Sequence, residues 1–134
     1  MAYNLMSVES YIKDARVILL DTVFPFRYGD KSLLVGLNTA LLEGRRIRPD
    51  LFVFRHGGVY VPSYDAISSE EVPIEPQFRL AFVYGTCAHA LLRDQEDVQD
   101  MRANMFLAAF QSMLTGVIVP PIGGGTPGPG SPQK

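Results

Sequence analysis

The sequence predicts a mainly α fold: a four-helix bundle-like domain with a small β-hairpin insertion at about residues 51–64 and an extended Pro/Gly-rich C-terminal tail. Three observations carry this. Four separate segments repeat apolar residues at i, i+3 and i+4. β-prone residues flank Gly57-Gly58 in LFVFRHGGVYVPSYD, a hairpin signal. Residues 120–134 hold five prolines and five glycines, which neither a helix nor a central strand tolerates. The expected division is a helical domain over 1–116 and a tail over 117–134.

The first helix is predicted in SVESYIKDARVILL. Val8, Tyr11, Ile12, Ala15, Ile18 and Leu19 share a face, Ser7 is placed to cap it, and Glu9 suits the positive end of the dipole. Pro25 forces an end, and DTVFPFRYG reads as a loop whose aromatics Phe24, Phe26 and Tyr28 are expected to pack on the helices. Asp30 is the expected cap of a second helix, with Leu33, Leu34, Leu37, Ala40, Leu41 and Ile47 buried and Pro49 as the stop. Its interior glycines, Gly36 and Gly44, each cost roughly 1 kcal/mol against alanine and point to close helix contact.

After the hairpin, where Pro62 marks the second arm as an edge strand, AISSEEVPIEP reads as an irregular acidic loop. The third helix is expected from about Gln77 to Arg93, behind Pro76, lined by Phe78, Ala81, Phe82, Gly85, Ala88 and Leu92. Small residues at 81, 85 and 88 predict a closely approaching neighbour. Asp94 is the expected cap of the fourth helix and Gly116 its stop. That helix carries two apolar stripes. One is Val98, Met101, Met105, Ala108 and Ser112; the other is Phe106, Ala109, Phe110, Met113 and Leu114. A bundle helix needs one apolar face, so the second is either packed against the loop aromatics or a contact between subunits.

The 134 residues suffice for one domain with a substantial core. A formal net charge of −2 argues against a protein whose main work is neutralising phosphates. The lone Cys87 excludes an internal disulfide and fits a reducing compartment. MAYNLMSVES lacks the basic and apolar regions of a signal peptide, and no apolar run reaches the ~18 residues of a membrane span. The expectation is a soluble protein made in the cytoplasm, with no membrane partner.

Groups that could do chemistry are few. His56 and His89 have no second ligand at metal spacing, and Cys87 lacks a histidine placed as a base, since His89 two residues on points elsewhere. Glu70 and Glu71 lie in a polar loop; Glu96, Asp97 and Asp100 sit where a helix N-terminus favours acids. GGGTPGPG lacks the Lys-Ser/Thr ending of a phosphate loop. No catalytic residue, cofactor or metal is expected, and the chain does not read as an enzyme. The one basic cluster, Arg45, Arg46 and Arg48, is either a solvated helix end or a contact with a DNA channel or acidic partner. Used on nucleic acid, it would make this a small helical DNA- or RNA-binding regulator, the alternative function.

The order of features resembles the bacteriophage head-to-tail adaptor (connector) family. ARVILLDTVFPFRYGDKSLLVGLNTALLEGRRIRPDLF is similar to that family's opening: a short helix ending at Leu20-Asp21, an aromatic-Arg-aromatic segment, a capped helix with central Leu37-Asn38, then Arg48-Pro49-Asp50. FRLAFVYGTCAHALLRDQEDVQDMRANMFLAAFQSML is similar to its final helical pair. The resemblance spans about residues 7–116. Gly29, where a small hydroxyl residue is usual, and Lys31, where an acid is, depart from it.

The resemblance implies a structural virion protein at the neck, a dodecameric ring on the portal that extends the DNA channel and seats the next neck, tail or nozzle protein. Its partners would be the portal, neighbouring copies of itself and that downstream protein. Genomic DNA would pass through without sequence recognition. Val117, Ile118, Val119, Pro120, Pro121 and Ile122 would dock the tail on the portal. Phe106, Phe110 and Leu114 would form the lateral subunit contact. The hairpin tip, Arg55, His56, Gly57, Gly58 and Val59, would touch the neighbour or next tail component.

Overall fold

The computed structural model of the protein describes residues 4–52, 61–93 and 100–116. The described residues form four α-helices: α1 Val8–Leu19, α2 Asp30–Ile47, α3 Arg79–Leu92 and α4 Asp100–Thr115. Short 3-10 turns occupy Pro49–Phe52 and Pro76–Phe78. The chain is thus mainly α, as its periodicity predicts. The hairpin tip, the Asp94 cap and the tail from residue 117 lie outside the described residues. The described flanks of the expected hairpin are not strand. Leu51 and Phe52 belong to the 3-10 turn begun by Pro49, and residues 61–64 are irregular. Among the described residues the sole β-pairing is an isolated antiparallel bridge, Ser7 with Glu71.

α1 begins as expected. The Ser10 N–H donates to Ser7 Oγ at 3.2 Å. Two further orphan donors of the first turn are met from the acidic loop: Val8 N–H donates to the Glu70 carbonyl at 2.8 Å and Glu9 N–H to that of Ser68 at 3.0 Å. The loop is pinned in return, by Val72 N–H on the Met6 carbonyl and by burial of Val72 and Ile74. At the other end Leu20 takes the left-handed conformation (φ 60°) while Asp21 N–H reaches back to the Arg16 carbonyl.

α2 is capped differently from the expectation. Gly29 holds the N-cap position with no side-chain bond, and Asp30 is the first helical residue, its carboxylate turned to Arg16.

α3 is the central helix, packed on α2, α4 and α1. The predicted single face is too narrow an account. Val83, Thr86, Cys87, Ala90 and Leu91 are buried together with Ala81, Phe82, Gly85 and Ala88, whereas Leu92 is exposed. Close approach comes from glycine, as expected. A Cβ at Gly36 would lie 2.9 Å from the Thr86 carbonyl oxygen of α3, and one at Gly85 would lie 2.9 Å from Ala40 Cβ and 3.0 Å from the Phe110 ring.

That notch at Gly85 determines how α4 faces. Phe110 enters it, and Phe82 contacts Phe110 edge-on at 5.4 Å and Phe52 at 6.1 Å. Ala103, Phe110 and Leu114 are buried, while Met101 and Met105 of the other stripe are 70% and 54% exposed. Of the stripe read as surplus, Phe110 and Leu114 therefore face the core, while Met113 is exposed. Burying a Phe side chain of this kind contributes about 1.5–3 kcal/mol.

Candidate functional site

The residues carrying the sequence signature occupy the joints of the bundle. At the first joint the Arg16 guanidinium, almost wholly buried, donates to Asp21 Oδ2 at 3.0 Å, to the Tyr28 carbonyl at 2.8 Å and to Asp30 Oδ1 at 2.6 Å. Asp21 also accepts the backbone N–H groups of Arg27 (2.7 Å) and Tyr28 (2.9 Å), folding the loop onto the end of α1. The Phe26 ring lies 3.9 Å beneath the guanidinium carbon. Backbone bonds to one carboxylate hold this loop, so its aromatics need not. Tyr28 is buried, but Phe26 is 39% and Phe24 80% exposed, against the expectation that all three pack inward.

At the second joint Asn38 grips the loop backbone twice. Its Nδ2 donates to the Tyr64 carbonyl at 2.8 Å and its Oδ1 accepts Tyr64 N–H at 2.9 Å. At the third, Arg79 donates to the Leu5 carbonyl, Ser10 Oγ and Asp14 Oδ2, tying α3 to α1. At the fourth, Arg48 donates to both carboxylate oxygens of Asp50 (2.9 and 2.8 Å) and to the Leu114 carbonyl at 2.6 Å. That side-chain bond holds the Asp50 carboxyl below the usual carboxylate range and pushes the Arg48 guanidinium up.

The basic cluster is thereby divided. Arg45 and Arg46 remain exposed, Arg46 at 3.6 Å from Glu43, but Arg48 is engaged within the molecule. The lateral-contact set divides as well. Phe110 and Leu114 have no surface left for a neighbour, which corrects the expectation that they meet another subunit. Phe106 is half-buried and stacks on Tyr84 at 5.6 Å. Residues 55–59 and 117–122 lie outside the described residues.

Cys87 and His89 are accounted for by packing, while His56 lies outside the described residues. Cys87 is buried with its Sγ 3.6 Å from the Ala15 carbonyl, and burial pushes the thiol up to about 12. Such a thiol stays protonated at neutral pH and cannot serve as a thiolate. His89 Nε2 lies 2.8 Å from Glu43 Oε1, joining α3 to α2. Glu70 and Glu71 are exposed, and Glu71 accepts a bond from Asn4. The Tyr11 hydroxyl is buried without a hydrogen-bond partner among the described residues, and desolvation raises its pKa above the ordinary phenol value. Among the described residues no three His, Cys, Asp or Glu side chains gather as a metal site, and no helix is long and apolar enough to cross a membrane.

The described residues line open clefts, of which two stand out. One, of about 380 Å³, is lined by Arg27, Tyr28, Gly29, Ser32, Ala90 and Arg93. The other, of about 530 Å³, runs along α2 between Leu34, Val35, Tyr64 and Ile67, with Asp30, Lys31 and Asp65 at its polar edge. The surface that periodicity missed is apolar: Leu20, Val23 and Phe24 are 84%, 78% and 80% exposed, beside exposed Val17. Its signal in the sequence is LDTVFPF, of which only the aromatics are expected to pack inward.

Comparisons of the chain with protein-family models, with curated proteins and with solved structures find no match.

Proposed function

We propose that this chain is a structural virion protein, a head-to-tail adaptor that forms a ring on the portal, extends the DNA channel and seats the next neck or tail protein. One observation carries the reading: the motifs that resemble the adaptor family coincide, in order, with the joints of the fold. Leu20-Asp21 closes α1, the aromatic-Arg-aromatic segment is folded back by Asp21, Asn38 holds the loop backbone at Tyr64, and Arg48-Pro49-Asp50 closes α2. Residues 117–122 provide the portal contact, and the apolar ridge of Leu20, Val23 and Phe24 replaces Phe110 and Leu114 as the surface for a neighbouring copy. Residues 55–59 meet the neighbour or the downstream protein.

Native mass spectrometry of the chain, alone and mixed with the portal of the same virion, tests this. The expected result is a monomer that assembles as a ring of copies on one portal. Truncation after Gly116 abolishes that assembly with helical content nearly unchanged, and Val23→Ser with Phe24→Ser lowers the number of copies bound. A full-length chain that ignores the portal overturns the reading. A steeply salt-dependent affinity for duplex DNA would instead favour a nucleic-acid regulator working through Arg45 and Arg46.

A further inference from the structure

We propose that Arg48 is the positioning residue for the C-terminal segment: it locks the last turn of α4, so that the chain beyond Gly116 leaves the bundle from one fixed place. The guanidinium stands at the end of α2, yet its Nη1 donates to the carbonyl of Leu114 in the final turn of α4 at 2.6 Å. Carbonyls there have no partner within the helix, and a cation beside them also meets the negative end of the dipole. The remaining fork is not free to swing. Nε and Nη2 hold the two oxygens of Asp50, and the Phe78 ring lies 5.2 Å from the guanidinium carbon. A planar fork can pair with a carboxylate through two nitrogens and still donate to a carbonyl from the third; a lysine ammonium at this position is a point donor and loses the bidentate pairing with Asp50.

The turn so held is anchored from its other side. The Leu114 side chain is buried, Gly116 N–H donates to the Ser112 carbonyl at 2.8 Å, and Gly116 itself turns the chain with φ 74°. Asp50 is 62% exposed, so it serves here as a brace for Arg48 rather than as a buried counter-charge. A segment that docks by main-chain and apolar contacts binds more tightly when its point of departure is already ordered. What the segment docks on rests on the adaptor reading above; the lock does not.

The test has two arms on the full-length chain. In the first, amide hydrogen exchange is followed in the protein alone for wild type, Arg48→Gln, Arg48→Lys and Asp50→Asn. Exchange at Thr115 and Gly116 should quicken about tenfold or more in Arg48→Gln, by less in the other two, with α3 amides unchanged. Equal exchange in all four overturns the lock. Should Arg48→Gln also expose α3, Asp50→Asn, which leaves the Arg48 side chain in place, decides.

In the second arm each variant is titrated against the portal ring. Weakening of about tenfold in Arg48→Gln supports the positioning role. Wild-type affinity in a variant whose exchange has quickened overturns it. A wild-type chain that does not bind the portal defeats the adaptor reading, and the exchange arm then decides the lock alone.

Discussion

Leu20 is a leucine where the backbone asks for glycine. Its φ of 60° closes α1, and its side chain, 84% exposed, recovers almost nothing by burial. Leu20→Gly is expected to stabilise the isolated chain by about 0.5–1 kcal/mol, measured by urea unfolding, because relief of left-handed strain exceeds the entropy glycine adds to the unfolded chain. That a leucine stands there in spite of this strain agrees with its place on the apolar ridge. Asp21 is the opposite case. It is 7% exposed and accepts two backbone N–H groups and a guanidinium, so Asp21→Ala leaves Arg16 buried without that partner and should cost about 3 kcal/mol or more. Cys87 gives a pH prediction. A thiol ordinarily at 9.0 and held up to about 12 in the fold favours the protonated, folded state. Its contribution is complete below pH 9 and is lost as the pH rises towards 12. Tyr11, raised for the same reason, acts in the same direction. Iodoacetamide should therefore label native protein very slowly at pH 8 and denatured protein readily.

At the scale of elements the close approach of the helices depends on glycines. Gly36→Ala sets two effects against each other. Helix propensity favours alanine by about 1 kcal/mol. The new Cβ would lie 2.9 Å from the Thr86 carbonyl, a backbone atom of the central helix that cannot swing aside. Overpacking of that kind costs about 1–3 kcal/mol, so the expected net result is a fall in thermal midpoint. A rise would show that α2 and α3 can slide apart freely. Position 36 was singled out from sequence as a costly glycine needing a reason, and the approach of α3 supplies it.

For the whole molecule a chain of aromatics, Phe52, Phe82 and Phe110, runs through the core and links the turn after α2 to α3 and α4. Phe82→Ala should cost about 3–5 kcal/mol and lower the unfolding midpoint as seen by every probe together, because three elements meet on that ring. Val23→Ser and Phe24→Ser should each move stability by less than about 0.5 kcal/mol, since both side chains are already in water. A large loss from either would mean that the ridge packs on part of the same chain.

Local chemistry was enough, in the sequence, to place α1 by its serine cap, to end α2 before Pro49, to end α4 at Gly116, and to mark Gly36 and Gly44 as close contacts. Each of these depends on a residue and its near neighbours. The orientation of α4 did not, because both of its stripes are apolar. The notch at Gly85, on another helix, takes in Phe110; Leu114 is buried on the same side, and Met101 and Met105 are left outside. The roles of the arginines were likewise hidden. In sequence Arg48 is one of three basic residues at a helix end; its partner carbonyl at Leu114 is brought to it by the packing of the bundle. Periodicity reports which side chains avoid water, but which partner they find is decided by the other elements.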